Sequence, residues 1–377
     1  MRRLFRIAWK MFCIIISCSF IFSSLSTFIP PSIFSFASFF GLGFPYILAA
    51  FIFCCVLGLF INRKQALLRM FLLPLSYFNI VSTFALRPAV EWKFQKDSTT
   101  LRVMTWNVQS FVNNLRRKSA TAYADSKEGI MQTIHDYDPD VFCIQEYRNT
   151  ENAKRRAPIR KELDSLGYKY YYCSNDRITT LPKNKKAVVT EGVAIYSKLP
   201  ILDSGCININ HVDKNENMIY TDVMFNNKPV RIFTAHLQSL YIYSDTTGKY
   251  EDDNIYEITY KKRRHAEYRV RETEINHEVQ AKIIRGEMDK SPYPVIYCGD
   301  MNITPTSYTY RYIKGKNLQD AFLAKGSGIG NTFYKIGPTL RIDYCLPDTA
   351  MQVLQCKRQV KKLSDHYPVI TDMQWKK

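Results

Sequence analysis

Neither a Cys-x-x-Cys pair nor an internal repeat occurs in the 377 residues. The first absence removes zinc-ribbon and thioredoxin-like readings of the ten cysteines. The second, with only fifteen Gly and sixteen Pro, removes collagen-like and low-complexity chains. Hydrophobic residues make up 46% and charged ones 23%, too apolar a balance for a disordered chain. Acidic residues are scarce in one place. Positions 1–100 hold two Asp/Glu against ten Lys/Arg, and the remainder holds 32 against 42. The net charge of +18 is therefore split between two stretches of different character.

Charge is missing altogether from Met11–Ile29 and Leu42–Ile61. A spanning helix needs roughly 20 apolar residues, so both runs qualify. A third run, Met70–Leu86, is shorter and carries Pro74 and Asn79. A cleaved signal peptide competes for the first run, but no small-x-small site follows it and a second span does. Residues 1–90 thus read as an all-α membrane anchor, 91–100 as a linker and 101–377 as a second domain. Arg2, Arg3, Arg6 and Lys10 precede the first span, and Arg63, Lys64 and Arg69 follow the second. The loop Pro30–Gly41 has no charge. The positive-inside rule puts both cationic groups in the cytoplasm. If the third run crosses, everything after Arg87 lies outside the cytoplasm, and this is the favoured arrangement for an integral inner- or plasma-membrane protein.

After the linker, runs rich in Val, Ile, Tyr and Phe predict strands. They are Leu101–Val108, Asp140–Tyr147, Gly192–Ser197, Tyr220–Phe225, Val230–Leu237, Pro294–Cys298, Leu340–Leu346 and Tyr367–Met373. Lys127–Tyr137 and a charged stretch from Tyr260 to Met288 predict helices. Strands alternating with helices over this length point to one α/β domain with a large sheet core. Cys143, Cys298 and Cys345 interrupt strand-like runs, where cysteine behaves as a small buried hydrophobe.

Polar residues cluster at the strand ends. Asn107 closes LRVMTWN, Glu146 closes DVFCIQE and His236 closes VRIFTAH. Asp300 and Asn302 follow PVIYCG, Asp343 lies in LRIDYCL, and Ser364-Asp365-His366 opens the last strand. Each alone has a plain explanation, since Asn and Asp at strand ends are usual turn formers. Together they are an oxygen-rich set suited to Mg²⁺ or Mn²⁺ and not to zinc. A hard divalent ion beside His acid/base groups is the equipment of phosphoester hydrolysis.

The ordered motifs TWN, IQE, GVAIYSKLPI, TAHL, GDMN, RIDY and SDHYPV resemble the endonuclease/exonuclease/phosphatase superfamily, which includes deoxyribonuclease I, over about Leu101–Trp375. The resemblance implies a four-layer two-sheet α/β (α+β) sandwich of the deoxyribonuclease I-like type with its site at one rim. It implies Glu146 as principal metal ligand, with Asn107 assisting metal and phosphate binding. Asp300 would orient or deprotonate the attacking water. Asn302 would bind the scissile phosphate, and His366 would contact phosphate and stabilise the pentacovalent charge. Asp343 would pair with His366, Asp365 would contribute to a metal site, and His236 would be the second active-site His. Gln109 departs from the pattern, because some members carry Asp there, and this weakens a two-metal version.

Nucleic acid is the favoured substrate, ahead of a lipid or sugar phosphate. Tyr241, Tyr243, Tyr250, Tyr256 and Tyr260 precede Lys261-Lys262-Arg263-Arg264. Aromatics interleaved with cations can bind a phosphate backbone and stack bases. A solvated helix face, diluted by Glu267, Glu272 and Glu274, explains the same residues. Two other readings stay open: a headgroup phosphodiesterase or phosphatase beside its own membrane, and a non-catalytic binding protein on this fold.

Overall fold

The body is built from two mixed β-sheets. The first runs in the order β11 (Met351–Arg358), β12 (Val369–Trp375), β1 (Leu101–Asn107), β2 (Val141–Glu151), β5 (Asn184–Ser197) and β3 (Tyr170–Cys173). β4 (Arg177–Leu181) also pairs with β5. The second sheet runs β10 (Asp343–Pro347), β9 (Val295–Asp300), β8 (Lys228–His236), β7 (Asn217–Phe225) and β6 (Ile201–Asn208). The computed structural model describes residues 2–111, 120–151, 158–181, 184–210, 216–239 and 255–376.

The sheets pack face to face. Val103, Cys143 and Ile195 of the first meet Ile219, Ile232 and Cys298 of the second in one buried cluster. The outer face of the first sheet is closed by α6 (Ala120–Tyr137) and α7 (Ile159–Ser165) through Ile130, Ile134 and Leu163. α8 (Ile255–Asp289) and α9 (Tyr308–Lys314) close the second through Ala281, Ile284 and Ile313. α10 (Ala321–Lys325) adds Ala321 and Phe322 to the inter-sheet core. Each layer thus buries one apolar face against its neighbour.

All eight strand-like runs of the sequence form strands. β3, β4, β6 and β11 were not expected, and β5 and β2 extend beyond the apolar runs. The reason is visible in β6, which mixes half-buried and exposed positions at the sheet edge, with none fully buried, and so carries no continuous apolar signal.

The N-terminal segment comprises α1 (Arg2–Leu25), α2 (Ala37–Leu42), α3 (Phe44–Ile61), α4 (Arg63–Met70) and α5 (Tyr77–Thr83). Three stretches, Arg3–Phe28, Phe44–Ile61 and Arg63–Thr83, are long and apolar enough to cross a membrane. The third is interrupted by a 3-10 turn at Leu73–Ser76, where Pro74 has no N–H to give an α-helix. Phe20 stacks on Phe51 at 3.9 Å between α1 and α3. Asn62 separates α3 from α4, its side chain accepting the Gln65 N–H as an N-cap.

Residues 84–100 do not hang free. Ala85 bridges to Gly328, and Trp92 is buried beneath the Arg102 guanidinium at 5.0 Å. Arg341 Nη2 donates to the Ser82 carbonyl at 2.6 Å while Nη1 pairs with Asp320 at 2.5 Å. Arg102 is itself almost fully buried and grips Asp372 through Nε at 2.7 Å and Nη2 at 2.8 Å. Removing one partner of a buried ion pair leaves the other charge uncompensated, a cost of about 3–5 kcal/mol. Arg102→Met should therefore lower the melting temperature sharply, and adding Asp372→Leu should restore much of it. An unchanged melting temperature for Arg102→Met contradicts this account.

Candidate active site

Strand register brings the polar strand ends together. Asp343 of β10 and His236 of β8 both lie opposite Asp300 of β9. Directly paired residues present their side chains on the same face of a sheet, so three chemistry-bearing groups share one level. Gly299 allows this spacing, since a Cβ there would sit 2.3 Å from the Ala235 carbonyl oxygen. The neighbouring sheet supplies Asn107 at the end of β1 and Glu146 within β2. Glu146 has a left-handed backbone (φ 50°), and the β2–β5 register shifts between Ile144 and Tyr147. A bulge of this kind re-aims a side chain, and here Glu146 faces the cavity at the sheet rim.

Asn107 joins the two sheets. Its Nδ2 donates to Glu146 Oε1 and to Asp300 Oδ2, both at 3.1 Å, while its Oδ1 accepts the Gln109 N–H at 3.0 Å. Asp300 is fully buried, and its Oδ1 accepts the Asn302 N–H at 2.9 Å. The Nε2 atoms of His236 and His366 lie 3.6 Å and 3.7 Å from Asp300 Oδ2. His366 Nδ1 faces Asp343 Oδ2 at 2.9 Å, and the ring packs on Phe333 at 4.9 Å. The Trp106 indole donates to the His366 carbonyl at 2.9 Å and Ser364 Oγ donates to the Asn107 carbonyl at 2.7 Å. These bonds seat the Ser364–His366 turn against β1.

The electrostatics follow from this crowding. Burial, and after it Asp343, raise Asp300 to about 6, against the opposing pull of His366, His236 and the Asn107 amide. Burial disfavours a charge on His366, but Asp343 and Asp300 outweigh it and push the imidazole up to about 10. Asp343 keeps one oxygen, Oδ1, buried without a hydrogen-bond partner. Several carboxylates in one low-dielectric place, one of them with an orphaned oxygen, fit a divalent cation. The Asp300–Asp343–His366 group has ligand atoms within 4.8 Å of one another and could hold a metal.

The cavity, of about 390 Å³, is lined by Asn107, Glu146, His236, Asp300, Asn302, Asp365 and His366, all expected from the sequence. Asp343 stands behind them as the partner of His366. Asn302 Nδ2 donates to the Leu237 carbonyl at 2.8 Å, so this amide anchors the loop after β8. Asp365 is engaged by Gln109 Nε2 at 2.8 Å and by Lys335 at 2.7 Å. The Gln109 that replaces an expected carboxylate is thus a donor to a neighbouring one. Residues that sequence reasoning missed also line the cavity: Ser38, Phe39, Leu42, Ser239, Glu274 and Phe333. No signal in the sequence pointed to Ser38, Phe39 or Leu42, which lie beside or within the predicted spans. Tyr241, Tyr243 and Tyr250 lie outside the described residues, as do the side chains of Tyr256, Tyr260 and Lys261–Arg264.

The family model described as Endonuclease/Exonuclease/phosphatase matches residues 104–366. The chain belongs to this family. A second model, described only as a domain of unknown function, matches residues 2–83. No curated protein matches. Among solved structures, a family member from Beutenbergia cavernae is 19% identical with a TM-score of 0.50, covering 74% of this chain and 72% of that one. The human Nocturnin catalytic domain with bound sulfate is also 19% identical with a TM-score of 0.50, covering 75% and 98%. At this identity the likeness concerns the fold alone, the two-sheet sandwich of this family.

The loop after β8 is held to α8 by a buried imidazole. His277 Nε2 contacts the Gln238 carbonyl at 2.6 Å, and burial lowers the ring to about 4 despite that bond. A histidine kept neutral in the fold contributes stability that is complete above its ordinary value near 6.5 and is lost as pH falls toward 4. Acidification from pH ~7.5 to ~5 should therefore lower the melting temperature of the full chain in detergent less, or raise it more, in His277→Gln than in wild type, because the raised carboxyls Asp300 and Glu274 act in the opposite direction in both proteins. An equal pH dependence in both proteins counts against this role.

Proposed function

We propose that this protein is a membrane-anchored phosphoesterase of the nuclease/phosphodiesterase type, which hydrolyses its substrate with help from Mg²⁺ or Mn²⁺. The observation that carries the proposal is the convergence of Asp300 with Asn107, His236, His366 and Asp343 at one rim of a sandwich of this family. Glu146, with Asn107 and Asp365, would hold the cation through oxygen donors, leaving the Asp300–Asp343–His366 group, whose imidazole is protonated, for proton transfer and charge stabilisation. When bound, the ion supplies neutralisation of phosphate charge and support for the departing oxygen.

The remaining work falls to the protein's own groups. Asp300 orients water and takes its proton; a carboxyl raised to about 6 is a better base than an ordinary Asp. His366, kept protonated by Asp343, faces the phosphoryl oxygens and offsets the charge that builds on them. His236, on the other side of Asp300, is placed to serve the leaving oxygen. Asn302 would hold the phosphate together with Asn107 once substrate draws an N–H of each from its present partner, Leu237 for Asn302 and Glu146 or Asp300 for Asn107.

The way the anchor is fastened supports one position relative to the membrane. Thr306 of the catalytic domain bonds to Ser26 and Gly41, in the connector that leaves α1 at the end opposite Arg2, Arg3, Arg6 and Lys10. With those cations in the cytoplasm, the catalytic domain would lie on the extracytoplasmic side.

Glu146→Ala, Asp300→Ala and His366→Ala should each cut phosphodiester hydrolysis by at least ~100-fold, as is usual for acid/base and electrostatic groups. EDTA should abolish the activity and Mg²⁺ or Mn²⁺ restore it. A folded variant that retains at least half of the wild-type rate loses its assigned role.

A further inference from the structure

The catalytic cavity has a wall that the catalytic domain does not supply. Ser38, Phe39 and Leu42 of α2, in the connector between α1 and α3, line it beside Glu146, Asp300 and His366. The connector is fastened there. Ser26 Oγ donates to the Thr306 carbonyl at 2.9 Å, and Thr306 Oγ1 donates to the Gly41 carbonyl at 2.7 Å. Ser38 Oγ donates to Glu274 Oε2 at 2.5 Å, and the Ser32 N–H donates to Glu278 Oε2 at 2.8 Å. Gly41 permits this approach, because a Cβ would lie 2.9 Å from Ser26 Oγ and 3.0 Å from the Thr306 carbonyl oxygen.

The Phe333–Ile342 segment adds further apolar lining through Phe333, Ile336, Leu340 and Ile342. Phe39 and Ile336 are respectively 40% and 46% exposed. From Phe39 a chain of ring contacts leads outward, to Phe36 at 6.0 Å and from there to Phe34 at 6.2 Å. Ile33, at 77%, and Tyr46, at 55%, extend the exposed apolar surface at the ends of the two predicted spans. The site therefore has a floor of carboxylates and imidazoles, apolar sides, and an apolar path toward the place where the spans enter the bilayer.

A nucleic acid strand needs cations along its track and stacking surfaces for its bases. Among the described residues lining the cavity there is no Lys or Arg, whereas Glu146, Glu274, Asp300 and Asp365 are present. A phosphate carried on an apolar tail matches both parts of the site. Its head meets the polar floor, and its tail buries apolar surface against the walls.

Resting on the phosphoesterase reading above, we propose that the substrate is a phosphoester borne by a membrane lipid, and that the connector between the first two spans is part of its binding site. The lipid enters between α2 and the Phe333–Ile342 segment, with its apolar portion against Phe39, Leu42, Ile336 and Leu340. Its phosphorus lies at Asp300 and His366. The water oxygen bonds to phosphorus and the ester P–O bond breaks, its electron pair passing to the departing alcohol oxygen. The proton lost by water balances the one gained by that oxygen, so that ester and water become phosphate product and alcohol.

The test uses the full chain in detergent micelles with Mg²⁺ and Mn²⁺ and three probes: bis(p-nitrophenyl) phosphate, vesicles of phosphatidylethanolamine, phosphatidylglycerol and phosphatidic acid, and single-stranded oligonucleotides. Phe39→Asp and Ile336→Asp, made separately, guard against misfolding of either one. Met224→Asp, at the far end of β7, is the control for an added surface charge, and His366→Ala sets the background. The expected result is release of water-soluble phosphate product or headgroup from the vesicles, at least tenfold slower in both wall variants, unchanged in Met224→Asp and absent in His366→Ala. Vesicles left intact while the nitrophenyl diester is cleaved, with or without cleavage of the oligonucleotide, overturn the lipid proposal and leave the phosphoesterase reading standing. Vesicle turnover at the wild-type rate in both wall variants overturns the role of the connector. No hydrolysis of any probe overturns both readings.

Discussion

The structure turns on the burial of several carboxylates at the junction of two sheets. Charges of one sign in a low-dielectric place repel, and each has also lost its hydration. Asp300 and Asp343 sit on adjacent strands in direct register, and Glu146 reaches toward them from the other sheet. They are tolerated because donors are built around them: Asn107 between Glu146 and Asp300, the Asn302 N–H on Asp300, and His366 held against Asp343. Even so, Asp343 Oδ1 remains unpartnered. A site with this excess of negative charge is one that a cation and an anionic substrate can complete together.

The frame that enforces the crowding is ordinary packing. Val103, Cys143, Ile232 and Cys298 fix the distance between the sheets, and α8 fixes the second sheet from outside through Ala281 and Ile284. α8 also carries Glu274, which burial raises to about 7 against the opposing hydrogen bond from Ser38. One helix thus supports the catalytic sheet and receives the connector of the N-terminal segment. Arg341 makes a second tie, gripping Asp320 within the domain and the Ser82 carbonyl at the end of α5. The N-terminal segment and the catalytic domain accordingly meet at more than one place, and one of those places is the cavity.

Legibility in the sequence followed the same physics. Strands buried on both faces, such as LRVMTWN and PVIYCG, were readable because burial demands continuous apolar runs. β6 and β11 were not readable, since edge strands mix exposed and buried positions. Asn107, Glu146, His236, Asp300 and Asp343 were legible as polar interruptions at strand ends, and the motif order tied them together. The contribution of Ser38, Phe39 and Leu42 was not. Their partners, such as Glu274, lie more than 200 residues away, and apolar residues beside a predicted span read simply as membrane-facing. Nor could the sequence foretell the bulge that turns Glu146 toward the cavity, which is a property of strand register and not of composition.

The central claim is that the oxygen donors around Glu146 and Asn107 form a cation site facing Asp300. Binding of Mn²⁺ to the full chain, followed by the loss of the free-ion electron paramagnetic resonance signal, tests it most directly when wild type is compared with folded Glu146→Gln. The account predicts an affinity at least ~10-fold weaker in the variant, the usual scale for losing a coordinating or supporting group. Equal affinity in the two proteins would contradict it.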